Sequence, residues 1–234
     1  MEERFPTEEL YSQYAAGESG KVERFPDGSW ISYERILGEE LTLQQRTDLR
    51  NLLLFELEIP AFHDYSPEMP YTPDELDALL ENPEAVVIVA WKIKNNEKEL
   101  VGYVSGMPGV DEELTEKKLT TAEGKVLEPP DDKTYFFDTY AVKEGERSQQ
   151  IGKTLAQLFR QWVFRPGGNY DSLAVMALEG ARTLDMLEHD NWLGLGELRE
   201  QGKVSEGVVP YRGWRATYLK MKGLDWARGF RKKK

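Results

Sequence analysis

The chain has 234 residues, 40% hydrophobic and 11% aromatic, enough apolar material for one sizeable core and an argument against disorder throughout. It carries a net charge of −12, no cysteine and two histidines, His63 and His189, which excludes disulfides, thiolate metal sites, a cysteine nucleophile and multi-histidine metal centres. No metal is expected, and no stretch reads as a secretory signal or a membrane span, so the expectation is a soluble, cytoplasmic protein.

In chain order, residues 1–28 are charged and broken by Pro6, Gly17, Gly20, Pro26 and Gly28, and read as a lead-in with little structural commitment. Trp30 to Ile36 is aromatic and β-branched enough for a strand. Thr42 with Gln45 forms a capping box, and Leu49, Leu52, Leu53 and Leu57 share one helical face. Pro60 ends that helix, and Thr72-Pro73-Asp74-Glu75 opens a second that closes near Asn82-Pro83. Ala85 to Ile93 and Leu100 to Met107 are predicted as a hairpin turning at Asn95-Asn96. Pro108 to Asp132 is acidic, punctuated by Gly109, Gly124 and Pro129-Pro130, and is expected to be a long inserted loop with a short helix around 112–119.

Thr134 to Val142 is the next strand, and Ile151, Leu155, Leu158, Phe159, Trp162 and Val163 give the following helix a clean apolar face. Ser172 to Leu178 is a buried-type strand, 181–189 a helix with Leu184 and Leu187 inward, and Arg215 to Met221 a final strand. A run of strands ending in strand–helix–strand–helix predicts a mixed, mainly antiparallel sheet with helices on both faces. The strands flanking the central helix should be parallel neighbours. The expected organisation is an N-terminal extension over 1–29, one domain over 30–222 with an acidic insertion at about 108–132, and a basic tail over 223–234.

The charge is uneven. From Tyr211 onward there are nine Lys/Arg against one acid, so the acidic excess lies in the preceding body. An acidic body disfavours nucleic acid and favours cationic ligands such as amines; the plainer reading is that it keeps the protein soluble. Asp64, Glu68 and the insertion's Asp111, Glu112, Glu113, Asp131 and Asp132 are where a cationic ligand would be steered.

The stretch from Thr134 to Phe164 is a strand feeding a polar loop that opens directly into a helix. Loop amides and the first helical N–H groups lack intrahelical partners and carry the positive end of the helix dipole, which suits a phosphate. Ala141-Val142, then Arg147-Ser148-Gln149-Gln150-Ile151-Gly152-Lys153-Thr154-Leu155, resembles the GCN5-related N-acetyltransferase (GNAT) family. In that family a strand ending in an Ala-Val-like pair runs into Q/R-x-x-G-x-G/A at a helix start. Arg147 falls at the first motif position, Gln150 at the first glycine and Gly152 at the second. The resemblance covers roughly residues 30–192. It implies an α/β fold of the α+β kind, a GNAT-like sheet with a splayed central strand pair between 134–142 and 172–178.

It further implies acetyl-CoA as co-substrate. Its pantetheine arm would lie against the backbone of Tyr140, Ala141 and Val142, and its pyrophosphate on Arg147, Ser148, Gln149, Gln150, Ile151, Gly152, Lys153 and Thr154. Gln150 places a side chain where glycine is usual.

A second family marker falls on Leu178 to Trp192. Ala181 matches its alanine, but Leu187 stands at the tyrosine that usually serves as general acid. His189, Tyr211 and Tyr218 are the alternative proton donors. Asp138, the acid inside the strand before the loop, is the first choice for a general base, with Glu179 second; a structural hydrogen-bonding role for Asp138 is the competing reading. Partial burial would raise the Asp138 pKa toward a useful value.

The expected function is direct acetyl transfer to an amine, small-molecule or peptide, with a homodimer allowed. The alternatives are a catalytically silent CoA-binding or protein-interaction module, and an acyl or aminoacyl transferase with another donor.

Overall fold

The computed structural model describes residues 20–24, 27–37, 78–79, 81–95, 97–108, 119–143, 146, 150–165, 167–178, 195–211 and 214–222. The predicted helices over 42–60 and 181–189, the tail over 223–234 and all but the last residue of the short helix expected around 112–119 lie outside these residues; that last residue, Leu119, is not helical. Of the predicted helix closing near Asn82-Pro83, only its end is described, helical at 78–79 and 81.

The elements are β1 (Gly20–Arg24), β2 (Trp30–Leu37), β3 (Val86–Lys94), β4 (Glu97–Pro108), β5 (Thr134–Val142), α1 (Ile151–Val163), β6 (Ser172–Leu178), α2 (Leu195–Glu200), β7 (Val204–Tyr211) and β8 (Trp214–Lys222). They fall in two compact units. The first is Met1–Gly106 with Thr139–Phe159, the second Met107–Asp138 with Arg160–Lys234. Among the described residues, no helix is long and apolar enough to cross a membrane. The sheet is mixed and mainly antiparallel, as the sequence predicts.

In the first unit β1 to β4 follow one another in antiparallel order. β3 is buried without a break from Val86 to Ala90, the pattern of a strand covered on both faces. The β3–β4 turn sits at Asn95, whose φ of 52° supplies the left-handed residue that a two-residue hairpin needs. β1 lies in the stretch that reads as uncommitted lead-in. Its one branched apolar residue is Val22, and as the terminal strand it is held through backbone pairing with Tyr33 to Trp30. Charged side chains suit such an edge and leave no hydrophobic signature.

In the second unit the order is β5-β6-β8-β7. β5 and β6 are parallel from Thr134↔Ser172 to Phe137↔Val175, the arrangement expected on either side of a crossover helix. The remaining pairs are antiparallel. The Thr134 and Ser172 hydroxyls meet at 3.0 Å, and Trp162 stacks edge-on against the Tyr135 ring at 5.1 Å.

The second half of the acidic insertion is not a free loop. Thr120 bridges Val126, and the Leu127 N–H donates to the Leu119 carbonyl at 2.8 Å, so 119–127 is a small hairpin. It delivers Leu119 and Leu127 into a core with Ala174, Val209 and Tyr218. Behind it, the buried Lys220 ammonium donates to the Pro129 carbonyl at 2.9 Å and to Asp131 Oδ2 at 2.7 Å. Asp131, a steering candidate in the sequence, is thus committed to an internal cation.

Candidate functional site

The strand–loop–helix stretch lies in the first unit from Thr139 onward. α1 begins at Ile151, and the Thr154 N–H donates to the Gln150 carbonyl at 3.0 Å. Gln150 is therefore the cap residue, and the N–H groups of Ile151, Gly152 and Lys153 have no acceptor within the helix. The first turn contains no acid, so nothing in it opposes the positive end of the dipole. Ile151 and Leu155 are fully buried and Gly152 is buried. That fixes the helix start against the unit's core.

Gln150 has φ of 55°. A side chain in the left-handed region costs about 1–2 kcal/mol, which explains why glycine suits this position. The Gln150 side chain is exposed, so the strain sits in the backbone.

The loop is held before it reaches the helix. The β3–β4 ladder shifts register between Ala90 and Trp91, which face Gly102 and Leu100, so Val101 is the extra residue on β4. The Val101 carbonyl accepts the Lys143 N–H at 2.9 Å. A bulge frees a backbone group from the ladder, and here that group receives the chain leaving β5. The Lys143 ammonium reaches Glu99 Oε1 at 2.6 Å. The Glu146 N–H donates to the Lys143 carbonyl at 2.9 Å, and Lys92 donates to Glu146 Oε1 at 2.6 Å. The hydrogen bond it donates to Glu146, the largest influence, raises the Lys92 pKa against the opposing effect of burial. These anchors carry no motif. The pairs are 44 and 54 residues apart in the chain, and only a fold shows them. A bulge at Val101 likewise has no signal in its residue type.

Of the predicted cofactor residues, Tyr140, Ala141 and Val142 lie on the end of β5, with Tyr140 half-buried and Val142 buried. Gln150, Ile151, Gly152, Lys153 and Thr154 form the cap and first turn of α1. Arg147, Ser148 and Gln149 lie outside the described residues, as do Glu179 and His189 and the whole of 179–194.

The other catalytic candidates belong to the second unit. Asp138 is exposed on β5. Tyr218 is completely buried, and its hydroxyl has no hydrogen-bond partner among the described residues. Burial first, then the charges of Glu128 and Asp131, push its phenol well above the usual tyrosine value. Such a group keeps its proton. Among the described residues, no three acidic or histidine side chains cluster as metal ligands would.

Residues 49–188 match the model of the acetyltransferase (GNAT) family. No curated protein matches the sequence. Among solved structures, the chain is similar to an aminoglycoside 6'-N-acetyltransferase complexed with coenzyme A (18% identity, 80% of this chain and 96% of that one, TM-score 0.41). It is also similar to the aminoglycoside 6'-N-acetyltransferase from Enterococcus faecium (17%, 80% and 96%, TM-score 0.44) and to Ard1 from Thermoplasma volcanium (12%, 82% and 99%, TM-score 0.46). The family match spans more than half of the sequence and includes the β5–α1 loop, and with it the chain is an acyltransferase that belongs to the GNAT family of acetyltransferases.

Proposed function

We propose that the protein transfers the acetyl group of acetyl-CoA to the nitrogen of an amine that is cationic in solution. The observation that carries this reading is the anchored β5–α1 loop, which ends at a helix start with no acid in its first turn and with Gly152 where a phosphate must come close. The pyrophosphate would rest on the cap and first turn of α1, with Arg147 adding charge. Pantetheine would run along the backbone of Tyr140 to Val142. The net charge of −12 favours a cationic acceptor.

In the reaction, Asp138 takes one proton from the ammonium, directly or through water, and the neutral amine attacks the thioester carbonyl carbon. The carbonyl oxygen gains negative charge, which backbone N–H groups of the distal half of β5 would stabilise. The attack forms the C–N bond; collapse of the tetrahedral intermediate restores the C=O bond and breaks the C–S bond with its electron pair on sulfur. The second proton leaves nitrogen and ends on the CoA thiolate. With Leu187 at the usual tyrosine position, and Tyr218 holding its proton in the core, water is the simplest donor to sulfur. Residues 30–222 would act as the acyltransferase domain, and the basic tail would be dispensable for turnover.

The test is release of free CoA thiol from acetyl-CoA over a panel of monoamines, polyamines, amino acids and peptide N-termini. Amine-dependent release supports the reading; thiol release that ignores the amine, or none with any amine, contradicts it. Asp138→Asn is expected to lower kcat by about 100-fold while leaving acetyl-CoA affinity unchanged. A rate equal to the parent's across pH would remove Asp138 from the mechanism.

A further inference from the structure

The 119–127 hairpin leaves its face of the second unit's sheet only partly covered. Leu119 and Leu127 share a core with Ala174, Val209 and Tyr218, and two further apolar side chains, Phe136 on β5 and Met176 on β6, pack against it while remaining half-buried. Phe136 is level with Ala174 in the parallel ladder, and Met176 with Tyr218 in the antiparallel one, so one face carries both. Side chains alternate along a strand. On β5, Tyr135, which meets Trp162, and Phe137 are buried on one side, whereas Phe136 is half-buried and Asp138 exposed on the other. Asp138 is two residues beyond Phe136, and Met176 is two residues beyond Ala174, the partner of Phe136. The Asp138 carboxylate thus has one apolar neighbour on its own strand, about 6–7 Å along, and a second at its own level on the next strand.

A single half-exposed apolar side chain is ordinary. Two beside one carboxylate match an ammonium on a hydrocarbon body: the charge meets the carboxylate, and the hydrocarbon removes the exposed parts of Phe136 and Met176 from water. Hydroxyl or further ammonium groups on the same chain would lose water against these side chains and gain no partner from them. We propose that the acceptor is a primary alkylamine or arylalkylamine, seated with its ammonium at Asp138 and its hydrocarbon on Phe136 and Met176. The inference rests on the acetyl-transfer reading above and narrows its acceptor to one chemical class.

Initial rates of thiol release from acetyl-CoA by the full chain test this, with straight-chain amines from propylamine to hexylamine and with aminopentanol, in which a hydroxyl replaces the terminal methyl of hexylamine. For the parent, kcat/KM should rise about threefold with each added methylene, the order expected when a methylene leaves water. Hexylamine should exceed aminopentanol by about tenfold or more. Met176→Gln keeps the side-chain length and makes its end polar. It should cut the advantage of hexylamine to about threefold or less while leaving the rate with aminopentanol within about threefold of the parent's, a split that a general loss of stability would not produce. A parent series that is flat with chain length, or an advantage of hexylamine that Met176→Gln retains in full, overturns the proposal and leaves acetyl transfer standing. Absence of amine-dependent release with every amine overturns both. If Met176→Gln does not fold, the parent series decides alone: a steady rise supports the proposal and a flat series overturns it.

Discussion

Gln150 concentrates the tension between sequence and site in one residue. Its carbonyl caps α1 and its φ is 55°, a conformation that glycine adopts freely and glutamine does not. Gln150→Gly should raise unfolding free energy by about 1 kcal/mol, less the extra flexibility that glycine brings to the unfolded chain, read as a higher urea midpoint at unchanged slope. A lower midpoint would mean that the glutamine side chain earns its place by contacts of its own.

Lys220, at 1% exposure, makes the opposite case, a charge held inside by design of its surroundings. For Glu128 and Asp131 the largest influence, burial, raises the pKa, but hydrogen bonds from Lys220, joined by Lys222 at Glu128 and Thr134 at Asp131, outweigh it and hold both carboxyls below their usual range. Carboxylates depressed in the folded state add stability above about pH 4 and lose it as pH falls through the folded value. Stability should therefore be flat from neutral pH to about pH 4.5 and fall below it, with a shallower fall in Asp131→Asn. Urea melts from pH 7 to pH 2.5 check this; identical slopes for the two proteins would show that Asp131 has no part in the acid transition.

Among the elements, β5 and β6 occur at the bounds that the sequence predicts, and α1 presents the expected apolar face. Period and length are unambiguous there: short β-branched and aromatic runs bounded by turn residues, then a 3.6-residue repeat. β1 and β7 were not legible in the same way. Lys21, Glu23 and Arg24 in β1, and Glu206, Gly207 and Pro210 in β7, have the composition of loops. These strands exist because a neighbour supplies the ladder, β2 in one case and β8 in the other.

The 119–127 hairpin was hidden for a related reason. Leu119 and Leu127 are isolated apolar residues in a polar stretch, and only their common burial with Val209 and Tyr218 shows what they do. Gly207 is part of that contact. A side-chain carbon there would overlap the Thr121 methyl and stand 3.3 Å from a Leu127 methyl. Gly207→Ala is expected to cost about 1–3 kcal/mol by forcing the hairpin off β7, measured by denaturant titration. No loss would mean that Thr121 moves aside freely.

At the scale of the molecule, the family and the sheet class could be read from the strand–loop–helix stretch and the order of strands around it, because both are written in local residue patterns. What holds the loop could not. Val101 and Glu99 on β4, Lys92 on β3 and Glu146 in the loop are far apart in the chain, and their relation is a property of the folded first unit. The charge balance also becomes specific only in the structure. Part of the insertion's acidity neutralises Lys220 and Lys222 of the otherwise basic C-terminal region.

The central claim is that the loop entering α1 receives acetyl-CoA. Isothermal titration of acetyl-CoA into the parent protein and into Gly152→Val tests it most directly. The proposed pyrophosphate path passes Gly152 in the first turn of α1, where a branched side chain would crowd the phosphates. The account predicts saturable one-site binding by the parent, and a loss of at least about 2 kcal/mol of binding free energy in the variant at unchanged helix content by circular dichroism. No saturable heat from the parent with millimolar acetyl-CoA, or equal affinity in both proteins, would contradict it.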